Sequence, residues 1–435
     1  MATLDFALVN NTGSDTVYAY ITGQAIDNNN AVFLLQADGK TAYYPTSPSA
    51  TGSALAQDCA IPLGASGSTK TVTIPHIAGG RLWFSRDAKL TFLLNPGPAL
   101  VEPSSSNPSD PNYNIFWDFA EFTWNSSQLF VNISMVDFFS LPIALALENT
   151  SGSTNTVKGL PADGLETACN GLTAQDAKDN AGWSKLIVKQ GGANLRAVSP
   201  NTGAALTSGL LANYFDGYVR QVWSKYGSDT LTVDTQAAAG KLTAKVQGNN
   251  LTFSSGGITY APPSSADIFA NSSGVFAVSS DDTKNQVSAR LAAAFNRSTL
   301  LTNANQPDGE VPSNYYTNPV TNHYARICHA TALDGRGYAF PYDDVGPSNG
   351  ADQSGSVYDP NPKLLTVTVG GLTSNSTKKD AKQGDTPRSG GDNGGPSAAP
   401  TQPSQGGNRN PDTQKQSRSQ TLTTILHKLL CHKSS

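Results

Sequence analysis

FWDFAEFTWN, residues 116–125, reads as a β-strand, since Phe116, Trp117, Phe119, Phe122, Thr123 and Trp124 are strand-favouring types within nine positions. Asp118 and Glu121 interrupt it. A carboxylate in apolar surroundings finds a partner or holds a proton, because desolvation disfavours its charged form. Strand alternation puts Trp117, Phe119, Glu121, Thr123 and Asn125 on one face, and Phe116, Asp118, Ala120, Phe122 and Trp124 on the other. The first face turns polar along its length, Glu-x-Thr-x-Asn, which suits a groove wall better than a core.

Sixteen residues beyond Glu121 comes Asp137, at the end of LFVNISMVD. If the two runs pair as a hairpin, the carboxylates lie on neighbouring strands. One carboxylate against aromatic bulk and one at a wetter strand end are what acid/base chemistry on a glycosidic bond requires. The bland alternative is two exposed acidic side chains with no catalytic role.

Around this strand the chain is β-rich. It has 435 residues with 40 Gly, 26 Pro and only 14% charged residues, long enough for two domains and poor in helix formers. Short apolar runs (LDFALVNN, TVYAYITG, AVFLLQ, KTVTIPHI, GRLWFS, KLTFLL, AEFTW, LFVNISMV, IALALEN) fill residues 3–147, the pattern of a sandwich or barrel. TAQDAKDNAGWSKLIVK, SGLLANYFDGYVRQVWSKYG (with Ser208 as N-cap) and DTKNQVSARLAAAFNRSTLL then carry helix signals between strand-like runs. GYAFPYDDV and PKLLTVTVGG return to strand character, so LDFALVNN and LLTVTVGG are expected in one sheet. The expected organisation is a β domain of residues 1–155 plus 321–372, a mixed α/β domain of 156–320, and a disordered basic tail of 373–435.

From Thr377 onward there are 9 Lys/Arg against 4 Asp, and residues 1–376 hold 20 against 29 Asp/Glu. So acidic a body argues against nucleic acid as partner. No run of 18 apolar residues exists, so no membrane span is expected. The four cysteines, Cys59, Cys169, Cys328 and Cys431, permit three full pairings among which sequence cannot choose, and with the few histidines they form no recognisable metal set. No metal and no cofactor is called for. Eight N-x-S/T sequons, at Asn10, Asn125, Asn132, Asn149, Asn250, Asn271, Asn296 and Asn375, fit a secreted protein, although the first residues lack the basic and apolar regions of an export signal.

GRLWFSRD (80–87), AEFTWN (120–125), VDFFSLPIAL (136–145) and YAFPYDDV (338–345) resemble the ordered landmarks of thaumatin-like proteins. Four cysteines cannot supply the many disulfides of that group. The branch without them is glycoside hydrolase family 64, the laminaripentaose-producing β-1,3-glucanases, and TNHYARICHATALDGRGYAFPYDDVG followed by DPNPKLLTVTVGG is similar to that family's C-terminal block. The likeness covers residues from about 3 to 371. It implies a mainly β fold, a thaumatin-like β-barrel or sandwich with an inserted mixed α/β domain enclosing a wide groove, and a monomeric extracellular or cell-wall enzyme that cleaves β-1,3-glucan with inversion. It places the general acid on Glu121 and the general base on Asp137, with Thr123 and Asn125 at substrate-contacting positions. Aromatic surroundings are then expected to keep Glu121 protonated while Asp137 stays ionised.

Asn125 begins a sequon, so a glycan there would obstruct a groove. Asp343 and Asp344 either line that groove or stabilise a Tyr-Asp-Asp turn. Arg81 pairs with a groove carboxylate or makes a structural ion pair. His323 and Tyr324 position sugar or fill the core, and Trp117, Trp124 and Phe130 either stack on sugar rings or pack inside. Two other functions share these features: a non-catalytic β-glucan-binding defence protein, and a wall protein tethered by its basic tail.

Overall fold

The computed structural model describes residues 2–255, 257–350 and 352–372. In Leu4–Asn10 the side chains of Leu4, Phe6 and Leu8 turn inward and Asp5 outward. This strand pairs in parallel with Pro362–Val369 and antiparallel with Thr69–Ile74. The five-stranded sheet runs Thr154–Val157, Ile143–Asn149, Pro362–Val369, Leu4–Asn10, Thr69–Ile74. The first and last long strands among the described residues therefore share a sheet, as LDFALVNN and LLTVTVGG lead one to expect.

The larger sheet has Phe116–Trp124 between Leu129–Ile133 and Ile77–Arg86, continues through Val17–Ala25 to Ala31–Leu35, and at its other edge carries Ser356–Asp359. The hairpin is as anticipated: Glu121 opposes Asn132 and Trp124 opposes Leu129. Asn125 closes it, its side-chain oxygen accepting from the N–H groups of Ser127 and Gln128 at 2.8 and 3.0 Å. The two sheets meet through apolar inner faces. Phe6 and Phe122 pack edge to face at 5.3 Å, and Gly80 makes room, since a Cβ there would lie 2.5 Å from the Phe122 ring. Burying each such Phe contributes about 1.5–3 kcal/mol.

The arrangement is a set of open sheets and not a closed barrel. Closure needs the terminal strands of a sheet to pair with one another, and here the five-stranded sheet ends at Thr154–Val157 and Thr69–Ile74. Residues 1–372 form one compact unit.

Between the β segments lie helices Gly164–Asp179, Asp216–Ser228, Asp282–Arg297 and His323–Thr331. Asp282–Arg297 starts where its sequence signals, the Asp281 carboxylate capping Lys284 N–H at 3.1 Å. The helix expected from Ser208 begins only at Asp216. Leu211 has a positive φ of 56°, which breaks the helical path, and Phe215 is pinned by its N–H to Ser265 Oγ at 2.8 Å. The GYAFPYDDV run is no strand beyond one bridge, Ser134 to Tyr338; Asp343 folds back on it to accept from Ala339 N–H at 2.9 Å.

Cys59, Cys169 and Cys328 are buried free thiols, and Cys431 lies outside the described residues. Of the sequon asparagines, Asn10, Asn132, Asn271 and Asn296 are buried, and Asn375, like the rest of the tail, lies outside the described residues. No helix among the described residues is long and apolar enough to cross a membrane.

Candidate active site

Register across the large sheet places Thr22, Arg81, Glu121, Asn132 and Ser356 side by side on five successive strands. The row is polar, and Trp83, Trp117 and Phe119 lie beside it on the same face. One step along lie Thr123, Phe130 and Tyr358. One step the other way, Trp83 and Phe119 are buried at 4.9 Å from each other, and Trp117 packs edge to face on Phe138. The Glu121 face of Phe116–Trp124 is thus covered at its start and opens at Glu121.

Arg81 organises the polar row. Its Nε–H donates to Glu121 Oε1 at 3.4 Å, and its Nη1 pairs with Glu102. Thr22 Oγ1 donates to Glu102 Oε1 at 3.2 Å and accepts from Trp83 Nε1–H at 3.0 Å. Burial works against the Arg81 charge, but Glu102, Glu121 and Asp137 together hold its pKa above the ordinary value. The guanidinium is the common electrostatic partner of both sequence-selected carboxylates.

Asp137 follows the hairpin and is half-buried. Its carbonyl accepts from Ser199 N–H at 2.8 Å, and the next two residues pair with Val198 and Ala197. Burial raises its carboxyl above the usual carboxylate range; Arg81 opposes that and Glu121 adds to it. Sequence reading expects Glu121 to be the carboxyl set in apolar bulk and Asp137 the wetter one. In the fold Glu121 faces a guanidinium, because alternation on Ile77–Arg86 brings Arg81 directly opposite it, and burial acts on Asp137.

Thr123 and Phe130 are half-exposed on the Glu121 face, and Asn125 sits at the hairpin turn. Asp344 is half-buried and engages the Tyr338 hydroxyl, which also feels the Glu121 charge. Three other candidates are structural. Asp343 is 1% exposed and bound by Arg297 at 3.0 Å and His329 at 2.9 Å. His323 is buried, its Nε2 against Pro319 O and its Nδ1 accepting from Arg326 Nε–H, and burial pulls its pKa down to about 4. Tyr324 is fully buried and donates to Met135 O at 2.7 Å. Each spends its polar atoms inside the protein, which leaves none for sugar. Trp117 and Trp124 are core residues at 1% and 6% exposure.

Sequence reasoning missed Glu102, Asn132 and Tyr358. Glu102 lies in a loop with no motif. Asn132 was visible only as a sequon, and Tyr358 as an isolated tyrosine; register alone brings them beside Glu121 and Phe130.

A family model described as Beta-1,3-glucanase matches residues 2–369. The chain belongs to glycoside hydrolase family 64. It is 32% identical, with a TM-score of 0.74, to a laminaripentaose-producing β-1,3-glucanase solved in complex with laminaritetraose, covering 85% of this chain and 98% of that one. A family 64 β-1,3-glucanase domain from Clostridium beijerinckii shares the fold at 24% identity and a TM-score of 0.65, over 84% of this chain and 98% of that one. A glucan endo-1,3-beta-glucosidase from Cellulosimicrobium cellulans is 28% identical over 314 residues, 71% of this family 64 chain. The same figures hold for the enzyme of that name from Arthrobacter sp. (strain YCWD3). The chain spans about half the length of these curated relatives, 55% in each case.

Proposed function

We propose that this protein hydrolyses β-1,3-glucan with inversion, releasing laminari-oligosaccharides such as laminaripentaose, as a monomer acting outside the cell. The observation that carries the reading is Glu121 paired with Arg81 at 3.4 Å in a polar row of the large sheet, with Asp137, from the segment after the hairpin, acting on the same guanidinium. Family membership supplies the substrate class. The sheet pair is read as a thaumatin-like β domain of residues 1–155 and 321–372, with 156–320 as the inserted α/β domain and the open sheet face as one wall of a wide groove.

In this mechanism Glu121 protonates the glycosidic oxygen as the C1–O bond breaks. Asp137 takes a proton from the water that attacks C1 from the opposite side, leaving the new hydroxyl α. Such a pair works at roughly 6.5–9.5 Å separation, with water between carboxylate and sugar. A raised pKa suits the base, because an ionised carboxylate of higher pKa is the stronger proton acceptor. Thr123, Asn125 and Asp344 supply polar contacts, and Phe130 a ring for stacking.

The burial of Asp137 and the guanidinium beside Glu121 also favour a second assignment, with Asp137 as acid and Glu121 as base. Glu121→Gln and Asp137→Asn should each lower kcat on laminarin at least about 10³-fold with unchanged glucan binding and melting temperature. An activated aryl leaving group restores the acid variant and not the base variant, which fixes the roles. Proton NMR of the first product should show the α-anomer before mutarotation. A β-anomer would refute inversion, and glucan binding without any product would identify a non-catalytic binder.

A further inference from the structure

Asp118 is a buried carboxylate, 3% exposed, on the face of Phe116–Trp124 opposite to Glu121. Its oxygens are fully engaged by backbone. Oδ1 accepts from Phe119 N–H at 2.8 Å, and Oδ2 accepts from Ser140 N–H at 2.7 Å and Leu141 N–H at 3.1 Å. Ser140 and Leu141 lie three and four residues beyond Asp137. The strand that carries Glu121 is thereby tied through one side chain to the segment that carries Asp137.

The other side of that segment is held by Ala193–Val198. Phe138 and Phe139 pair with Val198 and Ala197, Ser199 N–H reaches Asp137 O, and Ser140 Oγ donates to Leu195 O at 2.6 Å. Arg196, from the same strand and wholly buried, donates to Tyr113 O and Ile115 O at 2.8 and 2.9 Å, and its charge acts on Asp118. Without Asp118 the segment keeps its pairing with Ala193–Val198 and the packing of Phe138 on Trp117, but loses the hydrogen bonds that fix its backbone to the Glu121 strand. A buried carboxylate costs desolvation, which the backbone N–H groups it satisfies and the Arg196 charge offset here.

We infer that Asp118 is a positioning residue that sets Asp137 relative to Glu121 across the scissile bond. The inference rests on the reading of Glu121 and Asp137 as the reacting pair. Asp118 touches no substrate; it acts through the 137–141 backbone.

The test is a double-mutant cycle on an aryl laminari-oligosaccharide with a dinitrophenolate leaving group, so that residual rates remain measurable. Asp118→Asn should lower kcat about 10- to 100-fold, the scale of a misplacement near 1 Å, with KM within twofold of wild type. Introduced into Asp137→Ala it should cost nothing further, since the residue it positions is gone; introduced into Glu121→Gln it should cost its full factor. A merely structural role would give equal losses in all three backgrounds, and that result overturns the inference. So would a loss confined to KM. If Asp137→Ala alone retains wild-type activity on laminarin, whose leaving group is not activated, the catalytic reading itself falls, a separate outcome; retention on the aryl substrate alone assigns Asp137 as the acid. Should Asp118→Asn not fold, Asp118→Glu, which keeps the charge and shifts its oxygens by one methylene, runs the same cycle.

Discussion

Replacing Asp343 with asparagine should destabilise the protein by about 3–5 kcal/mol, the usual cost of removing one partner from a buried ion pair. The carboxylate is fully enclosed, with Arg297 Nη2 at 3.0 Å, His329 Nε2 at 2.9 Å and Ala339 N–H at 2.9 Å. Arg297 would then keep its charge at 4% side-chain exposure without the carboxylate that pairs with it. The pH dependence follows from two opposed groups. Burial works against the Asp343 charge, but His329 and then Arg297 outweigh it and hold its carboxyl below the ordinary range. That contribution is present above about pH 3.9 and lost as pH falls through the lowered folded value. Burial also works against a His329 charge, yet Asp343 raises its pKa above the ordinary imidazole value. That contribution is complete below about pH 6.5 and lost as pH rises through the raised folded value. Urea denaturation followed by tryptophan fluorescence at about pH 5.5 and 8.5 should show a lower midpoint for Asp343→Asn at both, with the larger deficit at pH 5.5. Specific activity per folded molecule should stay within about threefold. An unchanged midpoint with lost glucan affinity would refute this reasoning and return Asp343 to the glucan-contacting face.

Tyr358, 59% exposed on an edge strand and in register with Phe130, extends the Glu121 face by a second ring. Tyr358→Ala and Phe130→Ala should each raise KM for long glucan about 5- to 10-fold, near 1–1.4 kcal/mol, with kcat unaltered; initial-rate kinetics on laminarin against short laminari-oligosaccharides would reveal it. Gly80→Ala sets a Cβ 2.5 Å from the Phe122 ring and should cost about 1–3 kcal/mol, read as a lower melting temperature.

What the sequence made legible was whatever depends on local pattern. The alternation in FWDFAEFTW and LDFALVN, the hairpin closed by Asn125 and the helix after Asp281 follow from side-chain period and capping chemistry. The catalytic candidates could be picked out because a carboxylate in an aromatic strand contradicts its surroundings. Their electrostatics could not. That Arg81 falls opposite Glu121 depends on the register of two strands 40 residues apart, and Glu102 joins them from a loop. Aspartates adjacent in sequence also part company in space: Asp343 turns into the core and Asp344 stays half-exposed, a difference set by the turn and invisible in the dipeptide.

Pro362–Val369 lies between Ile143–Asn149 and Leu4–Asn10, so the last strand among the described residues occupies the middle of its sheet. During synthesis Leu4–Asn10 can pair with Thr69–Ile74 early, yet its other edge has no partner until residue 369 has emerged. At about 5–20 residues per second that interval is on the order of 20–70 s. Throughout it an apolar strand edge stays open to foreign pairing. Yield on expression should therefore depend on chaperone supply more than on final stability, and a truncation reaching into Pro362–Val369 would split the sheet at its centre instead of trimming its margin.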